Sequence, residues 1–303
     1  MLRPDNTFCD LPFVALDGLD ADVAILGASH GTPYRPGEPS HAAGAPAVLR
    51  AALGWYDTQR TQIDMDHGGP VLGEVLAVDI GDVPGDPLDA GTGNRAAIRD
   101  AVAAVRAAGA APIMLGGDDS VPIPFFEGFA GEETWIVQVD AHLDWRDEVA
   151  GVTHGFSSTM RRASEMSQIA GIVQIGARGV GSARAGELDD AVNWGAQIFP
   201  MRLVHAEGLA PAIAAVPEGA RVILTIDADG LDPGLCPGVL APAFGGLGYQ
   251  HMLDLIEGLA ARGPIVGATL VEYVAERDPA GLGAQAAARL LCSVATAIRP
   301  RNP

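Results

Sequence analysis

The sequence predicts an α/β fold, a largely parallel sheet with helices packed on both faces. Two observations carry this. Short continuous apolar runs recur along the chain, each bounded by Gly, Pro or Asp, as parallel strands covered on both faces should be. Longer Ala-rich stretches of helical character alternate with them, and β and α elements alternating at this spacing assemble into a parallel sheet with helical crossovers.

Taken in chain order, the strand candidates are residues 23–27, 75–80, 111–115, 135–139, 171–175, 222–226 and 265–270. Helices are predicted over 45–53, 94–108, 158–169, 209–215, 249–261 and 284–297. The Gly and Pro residues between them form no long linker, and there is no internal repeat or low-complexity tract, so residues 1–303 are expected to form one domain. Ligands of such sheets bind beyond the carboxyl ends of the strands, which is where chemistry is sought below.

Composition narrows the function. With 48% of the residues apolar and 19% charged, disorder is excluded and a large core is affordable. No apolar run approaches the roughly 18–20 residues that span a bilayer. The opening MLRPDNTFCDLPF lacks a basic segment followed by an apolar one, so a soluble cytoplasmic protein without membrane partners is expected. Cys9, Cys236 and Cys292 are odd in number and far apart, which suits buried free thiols rather than a disulfide framework or a zinc ribbon. A formal charge of −19 argues against nucleic acid and suits a cationic substrate, whose local concentration an acidic surface raises.

Three acidic clusters stand where strands end. Gly116-Gly117-Asp118-Asp119-Ser120 follows residues 111–115, Asp140-Ala141-His142-Leu143-Asp144 follows 135–139, and Asp227-Ala228-Asp229-Gly230-Leu231-Asp232-Pro233 follows 222–226. Side chains of extended backbone alternate faces, so Asp140, His142 and, if the extension continues, Asp144 project together, as do Asp227 and Asp229. Acidic groups packed this densely repel one another unless protons or cations intervene. A pair of divalent ions resolves the conflict, and a carboxylate-rich set with a histidine suits manganese better than zinc. Asp232-Pro233 reads as a turn former and Asp118 as a brace for the turn after the two glycines. Gly176-Ala177-Arg178-Gly179-Val180-Gly181 has the wrong glycine spacing for a dinucleotide fingerprint and reads as a strand-end turn.

At these residues the chain resembles the ureohydrolase (arginase/agmatinase) family, the agmatinase branch more than arginase. Gly31-Thr32-Pro33-Tyr34-Arg35-Pro36-Gly37, Asp79-Ile80-Gly81-Asp82-Val83, GGDDS, DAHLD, His154-Gly155, Arg161-Arg162-Ala163, IDADGLDP and Val271-Glu272-Tyr273 follow in the family's order along most of the chain. The resemblance implies a three-layer α/β/α fold with an eight-stranded, mostly parallel sheet, two Mn2+ per chain, and a homotrimer or homohexamer. It places one ion on Asp119, Asp140, Asp144 and Asp227 and the other on His142, Asp140, Asp227 and Asp229. It makes Glu272 the carboxylate that holds a guanidinium, Asp144 a stabiliser of the tetrahedral intermediate and His154 the shuttle for the proton that the leaving amine needs. The implied reaction converts a small cationic guanidino compound, agmatine foremost, to an amine (putrescine) and urea.

Two departures bear on that expectation. The family's GGDHS is here GGDDS, so Asp119 stands where a histidine ligand is usual and the site carries five carboxylates. Either Asp119 ligates, with Ni2+ or another divalent ion an alternative to manganese, or the site is damaged and the chain is a non-catalytic subunit. The loop from His154 to Arg162 is about two residues longer than the agmatinase pattern. Arg146, next to Asp144, suits either a surface ion pair or the tail of a guanidino acid such as guanidinobutyrate or guanidinopropionate.

Overall fold

A computed structural model describes residues 1–54 and 62–300. Its strands are β1 (Val23–Ala28), β2 (Ile63–Asp64), β3 (Gly69–Pro70), β4 (Ala77–Asp82), β5 (Ala111–Gly116), β6 (Thr134–Val139), β7 (Ile169–Ile175), β8 (Gln197–Phe199), β9 (Val222–Asp227) and β10 (Ile265–Val271). Eight of them form one sheet in the order β4-β1-β5-β10-β9-β6-β7-β8, every pairing parallel, while β2 and β3 make a separate antiparallel pair. The eight-stranded parallel α/β fold is the expected one.

Helices α1 (Ala45–Ala51), α2 (Thr92–Ala107), α3 (Pro122–Glu127), α4 (Thr159–Ser164), α5 (Ala185–Trp194), α6 (Met201–Glu207), α7 (Ala210–Ala215), α8 (Tyr249–Arg262) and α9 (Leu282–Ala297) cover the sheet. Alternating strand residues feed two separate cores. Val23, Ile25, Ile113, Val137, Leu224 and Leu270 pack with Leu49 of α1, Met252 of α8 and Leu290 of α9 on one face. Ala24, Leu26, Met114, Ile136 and Ile223 pack with Val102 of α2, Phe125 of α3 and Met160 of α4 on the other. Both faces of each central strand are buried, which is why those strands are continuously apolar and recognisable in the sequence. No helix among the described residues is long and apolar enough to cross a membrane.

The expected elements shift in three places. The helix predicted over 158–169 stops at Ser164, and Ile169 already belongs to β7. The strand predicted over 75–80 begins at Ala77 and runs on to Asp82. The edge strand β8 and helices α3, α5 and α6 were not expected at all.

One polar group is sunk into the wall of the sheet. Arg50 of α1 is fully buried and donates from Nε to Asp79 Oδ2 at 2.8 Å and from Nη1 to Asp82 Oδ1 at 2.6 Å. Asp79, equally buried, also accepts from the Phe8 and Gly81 amides at 2.9 and 2.8 Å, so it ties β4, α1 and the N-terminal segment together. Removing one partner of a buried ion pair strands the other charge. Arg50→Ala is expected to destabilise the fold by about 3–5 kcal/mol in denaturant unfolding; a loss below about 1 kcal/mol would show that Asp79 is adequately held by backbone amides alone.

Candidate active site

The strands that carry the acidic clusters are neighbours in the sheet. Reading across, β5 ends before Asp119, β10 before Glu272, β9 at Asp227 and β6 before Asp140. Register then sets the approach: Val139 pairs with Ile226 and Val271 with Asp227, so Asp140, Asp227 and Glu272 emerge side by side at the carboxyl edge.

Donor atoms of Asp140, His142 and Asp229 all lie within 4.8 Å of one another, and so do those of Asp119, Asp140 and Asp144. Asp140 belongs to both groups. The Asp227 carboxylate lies with them, accepting the Asp229 amide at 2.7 Å and lining the same cavity. Asp144 does not arrive by continued extension, because the strand stops at Val139. It arrives through a left-handed residue, φ 51°, that turns its carboxylate back to the cluster. Asp229 sits in a 3-10 turn, Ala228–Gly230, rather than on the strand. The close approach of that turn to β6 requires glycine, since a Cβ at Gly230 would lie 2.7 Å from the Asp140 nitrogen.

Burial first, and the neighbouring carboxylates second, push Asp119, Asp140 and Asp227 well above the usual carboxylate range. His142 is pushed up to about 9, chiefly by its contact with Asp229 at 3.1 Å. Burial pushes Asp229 up too, but His142 outweighs it and leaves Asp229 below its ordinary value. The donor set therefore fits two divalent ions. Among the described residues Asp119 Oδ2 is buried without a hydrogen-bond partner, Asp140 and Asp144 bring donor atoms within 4.8 Å of those of Asp119, and cations relieve the repulsion that protons would otherwise relieve. Asp119, the second aspartate of GGDDS, thus stands with the cluster and not away from it.

Above the cluster opens a cavity of about 210 Å³ whose walls include Arg146, Phe156, Ser157, Ser182, Glu187, Leu240 and Glu272. A model of the arginase family matches residues 21–297. The chain belongs to the arginase family. Among relatives, the mitochondrial agmatinase of Gallus gallus is 29% identical over 287 residues, 91% of this chain and 81% of that protein. The guanidinobutyrase of Pseudomonas aeruginosa is 31% identical over 207 residues, 63% of each chain. Among solved structures, the proclavaminate amidino hydrolase from Streptomyces clavuligerus superposes with a TM-score of 0.83 at 25% identity, covering 96% of both chains.

In this arginase-family chain the Asp140 and Asp144 carboxylates are held from behind by a buried relay. Trp145 Nε1 donates to Gln174 Oε1 at 2.8 Å, Gln174 Nε2 to Gln138 Oε1 at 2.6 Å, and Gln138 Nε2 to Asp140 Oδ2 at 2.6 Å and Asp144 Oδ2 at 3.2 Å. Neither glutamine was singled out from the sequence. The signal was there: each is a lone polar residue in an apolar strand, and Gln138 lies two residues before Asp140, on the same face. Arg178 holds the other side, donating from Nη2 to the Asp229 and Leu231 carbonyls at 2.6 and 3.0 Å and from Nη1 to Gly230 at 3.2 Å. The glycine-rich stretch read as a turn therefore also clamps the ligand loop. Asp118 braces its own turn through Ser120, and Asp232 accepts the Gly234, Gly245 and Gly246 amides, as turn formers do.

Glu272, at φ 63°, turns into the cavity wall. Its Oε1 accepts the Asp119 amide at 2.8 Å, and its Oε2 lies 2.5 Å from His41 Nε2, a residue that sequence reasoning missed. His154 is not brought into the cavity lining. Its Nδ1 lies 2.8 Å from Thr153 Oγ1, and burial, with Arg95 and Arg162 nearby, keeps its imidazole below the ordinary histidine value. Arg146 does line the cavity, where its Nε is 3.5 Å from Glu187 Oε1.

Two predictions follow from the electrostatics and the relay. Groups that hold protons more tightly when folded stabilise the fold at low pH, and that stability is lost as pH rises through their folded values. Asp119, Asp140, Asp227 and His142 all act in this sense, and only Asp229 opposes them. Because ligation displaces those protons, the rise in Tm caused by manganese is expected to grow between about pH 6 and about pH 9, with more than one proton released on uptake in weakly buffered solution. An increment that is flat with pH would show that the cluster does not bind the ion. For the relay, Gln138→Leu is expected to weaken manganese binding about 10–100-fold by titration calorimetry; wild-type affinity would show that Asp140 and Asp144 are oriented without it.

Proposed function

We propose that the chain hydrolyses the guanidinium group of a small guanidino compound to an amine and urea on a pair of divalent ions, manganese in the first instance. Asp119, Asp140, Asp144 and Asp227 would hold one ion and His142, Asp140, Asp227 and Asp229 the other. The observation that supports this most directly is the pair of donor groups sharing Asp140 at the floor of a cavity that also exposes Glu272. Bound there, two divalent ions offset the buried carboxylates and lower the pKa of water, so that hydroxide is present near neutral pH.

The chain's own residues supply the rest. Glu272 pairs with the guanidinium through charge-assisted hydrogen bonds and holds its carbon over the cluster. Asp144 would stabilise the tetrahedral intermediate from the side of the cluster, accepting its N–H groups. The amine needs one proton to leave. His154, held neutral at neutral pH and two residues from the cavity-lining Phe156, is the proposed carrier through that loop.

Agmatine is the substrate that the sequence favours. One observation favours a guanidino acid instead. Glu187 is already engaged, accepting the Arg184 amide and Arg184 Nη1 at 2.8 Å each, so an ammonium tail would find it occupied. Arg146, beyond its 3.5 Å ion pair, makes no side-chain hydrogen bond among the described residues, and its planar fork suits a carboxylate.

Urea release is expected from manganese-loaded protein with at least one of agmatine, arginine, guanidinobutyrate, guanidinopropionate and free guanidine. Arg146→Glu is expected to lower kcat/KM for guanidino acids by at least about 100-fold while sparing agmatine. Silence across the panel with metal bound would overturn the guanidinium reading, and silence without bound metal would favour a non-catalytic subunit.

A further inference from the structure

We propose that His41 is the positioning residue that fixes the Glu272 carboxylate for guanidinium capture, an inference that rests on the reading of Glu272 as the guanidinium-holding group. Glu272 leaves β10 in the left-handed region, φ 63°, with its amide bound to the Gly117 carbonyl at 2.9 Å. A long side chain in that conformation is directed away from the strand and must be held from its flanks. Two donors do so: the Asp119 amide on Oε1 at 2.8 Å and His41 Nε2 on Oε2 at 2.5 Å. Each carboxylate oxygen accepts two hydrogen bonds, so one position on each stays free for the N–H groups of a guanidinium.

His41 reaches Glu272 from 231 residues away, in the segment before α1. Its ring meets Phe156 edge-on, with centroids 5.4 Å apart at 86°, and Phe156 in turn packs on Tyr34 at 4.5 Å. Phe156 and Glu272 line the cavity, whereas His41 does not. The imidazole is therefore wedged behind two walls of the cavity, touching Glu272 on one side and Phe156 on the other, and acts on substrate only through them. It belongs to neither donor group of the metal cluster.

Burial pulls His41 down, but Glu272 and then Asp118 outweigh this and leave it above the ordinary histidine value, with Arg277 opposing. Without the imidazole, the Glu272 carboxylate would keep one flank donor, the Asp119 amide, and lose the contact that fixes Oε2.

Two replacements separate donor from shape. His41→Phe keeps a ring against Phe156 and removes the donor, while His41→Gln supplies a neutral N–H donor. With the best substrate of the panel, His41→Phe is expected to raise KM about tenfold with kcat changed less than about threefold, and His41→Gln to recover most of the loss. In Glu272→Gln the further change His41→Phe should add little, since the two act as one unit. Wild-type KM in His41→Phe, a loss confined to kcat, or additive losses in the double variant would overturn the proposal. A readout independent of turnover is the NMR titration of the His41 ring in metal-free protein, expected above the ordinary histidine value in wild type and lower in Glu272→Gln. An unshifted titration in Glu272→Gln would overturn the pairing itself. If wild type releases no urea from any substrate, the reaction has failed and not the pairing; calorimetric binding of guanidinium ion, weaker in His41→Phe, then decides the positioning role, and equal binding overturns it.

Discussion

Asp119, Asp140, Asp144, Asp227 and Asp229 face one another across a space small enough that their charges interact strongly, and the folded chain holds them there against that repulsion. Sheet geometry is what makes the crowding unavoidable. β5, β10, β9 and β6 are consecutive in the sheet, and neighbouring strands lie about 4.8 Å apart. Residues that follow their carboxyl ends have no freedom to separate unless the strands do. The strands are clamped by a core on each face, so repulsion at the edge is resisted by apolar burial far from it. A cation site is then a product of the scaffold's rigidity more than of any local attraction, and the Gln138–Gln174–Trp145 relay and the Arg178 clamp fix what rigidity alone leaves loose.

The pleat also limits what a strand end can deliver, and this explains the strained residues. Extended backbone offers alternate side chains to one face, but β6 stops at Val139, so only Asp140 follows directly from the strand, while His142 lies in the bend beyond it and Asp144 further on. A left-handed turn at Asp144 returns its carboxylate to the cluster, and the carbonyl of the same residue accepts the Met160 and Arg161 amides in the first turn of α4, each at 3.1 Å. The Thr159 hydroxyl, next to those amides, donates to the carbonyl of Asp119. The two segments read from the sequence as departures from the family pattern, GGDDS and the loop before α4, thus meet in the structure.

The sequence made the central strands and the ligand clusters legible because both obey local rules, apolar runs closed by Gly and Asp. What it hid depends on partners far along the chain. Gly171 looked like the start of a strand after a helix, yet it lies within β7 because the ring of Trp135, its register partner on β6, leaves no room for a Cβ: one would lie 2.4 Å from that ring. Pro122 and Pro124 obscured α3, although proline in a first turn costs little. β8 has only three residues and pairs with β7 alone, too short for periodicity to register. His41 had no motif around it, and only its contact with a residue 231 positions away gives it a role.

Charge links the cluster to the choice of substrate. Two divalent ions, if held as proposed, would leave the five carboxylates with a negative surplus to which Glu272 adds, so the floor of the cavity would attract a cation more strongly than with a histidine in place of Asp119. That same surplus makes each ion a weaker acid toward water. In the cavity wall Arg146 shares Glu187 with Arg184, and the pair of arginines exceeds it by one charge. A guanidinium with a carboxylate tail matches both ends of this field, its cation drawn to Glu272 and its anion to Arg146. Electrostatic orientation of that kind aims the reacting carbon at the cluster before any contact is made. On the proposed reaction, Asp119 would trade some activation of water for stronger capture and alignment of a cationic substrate.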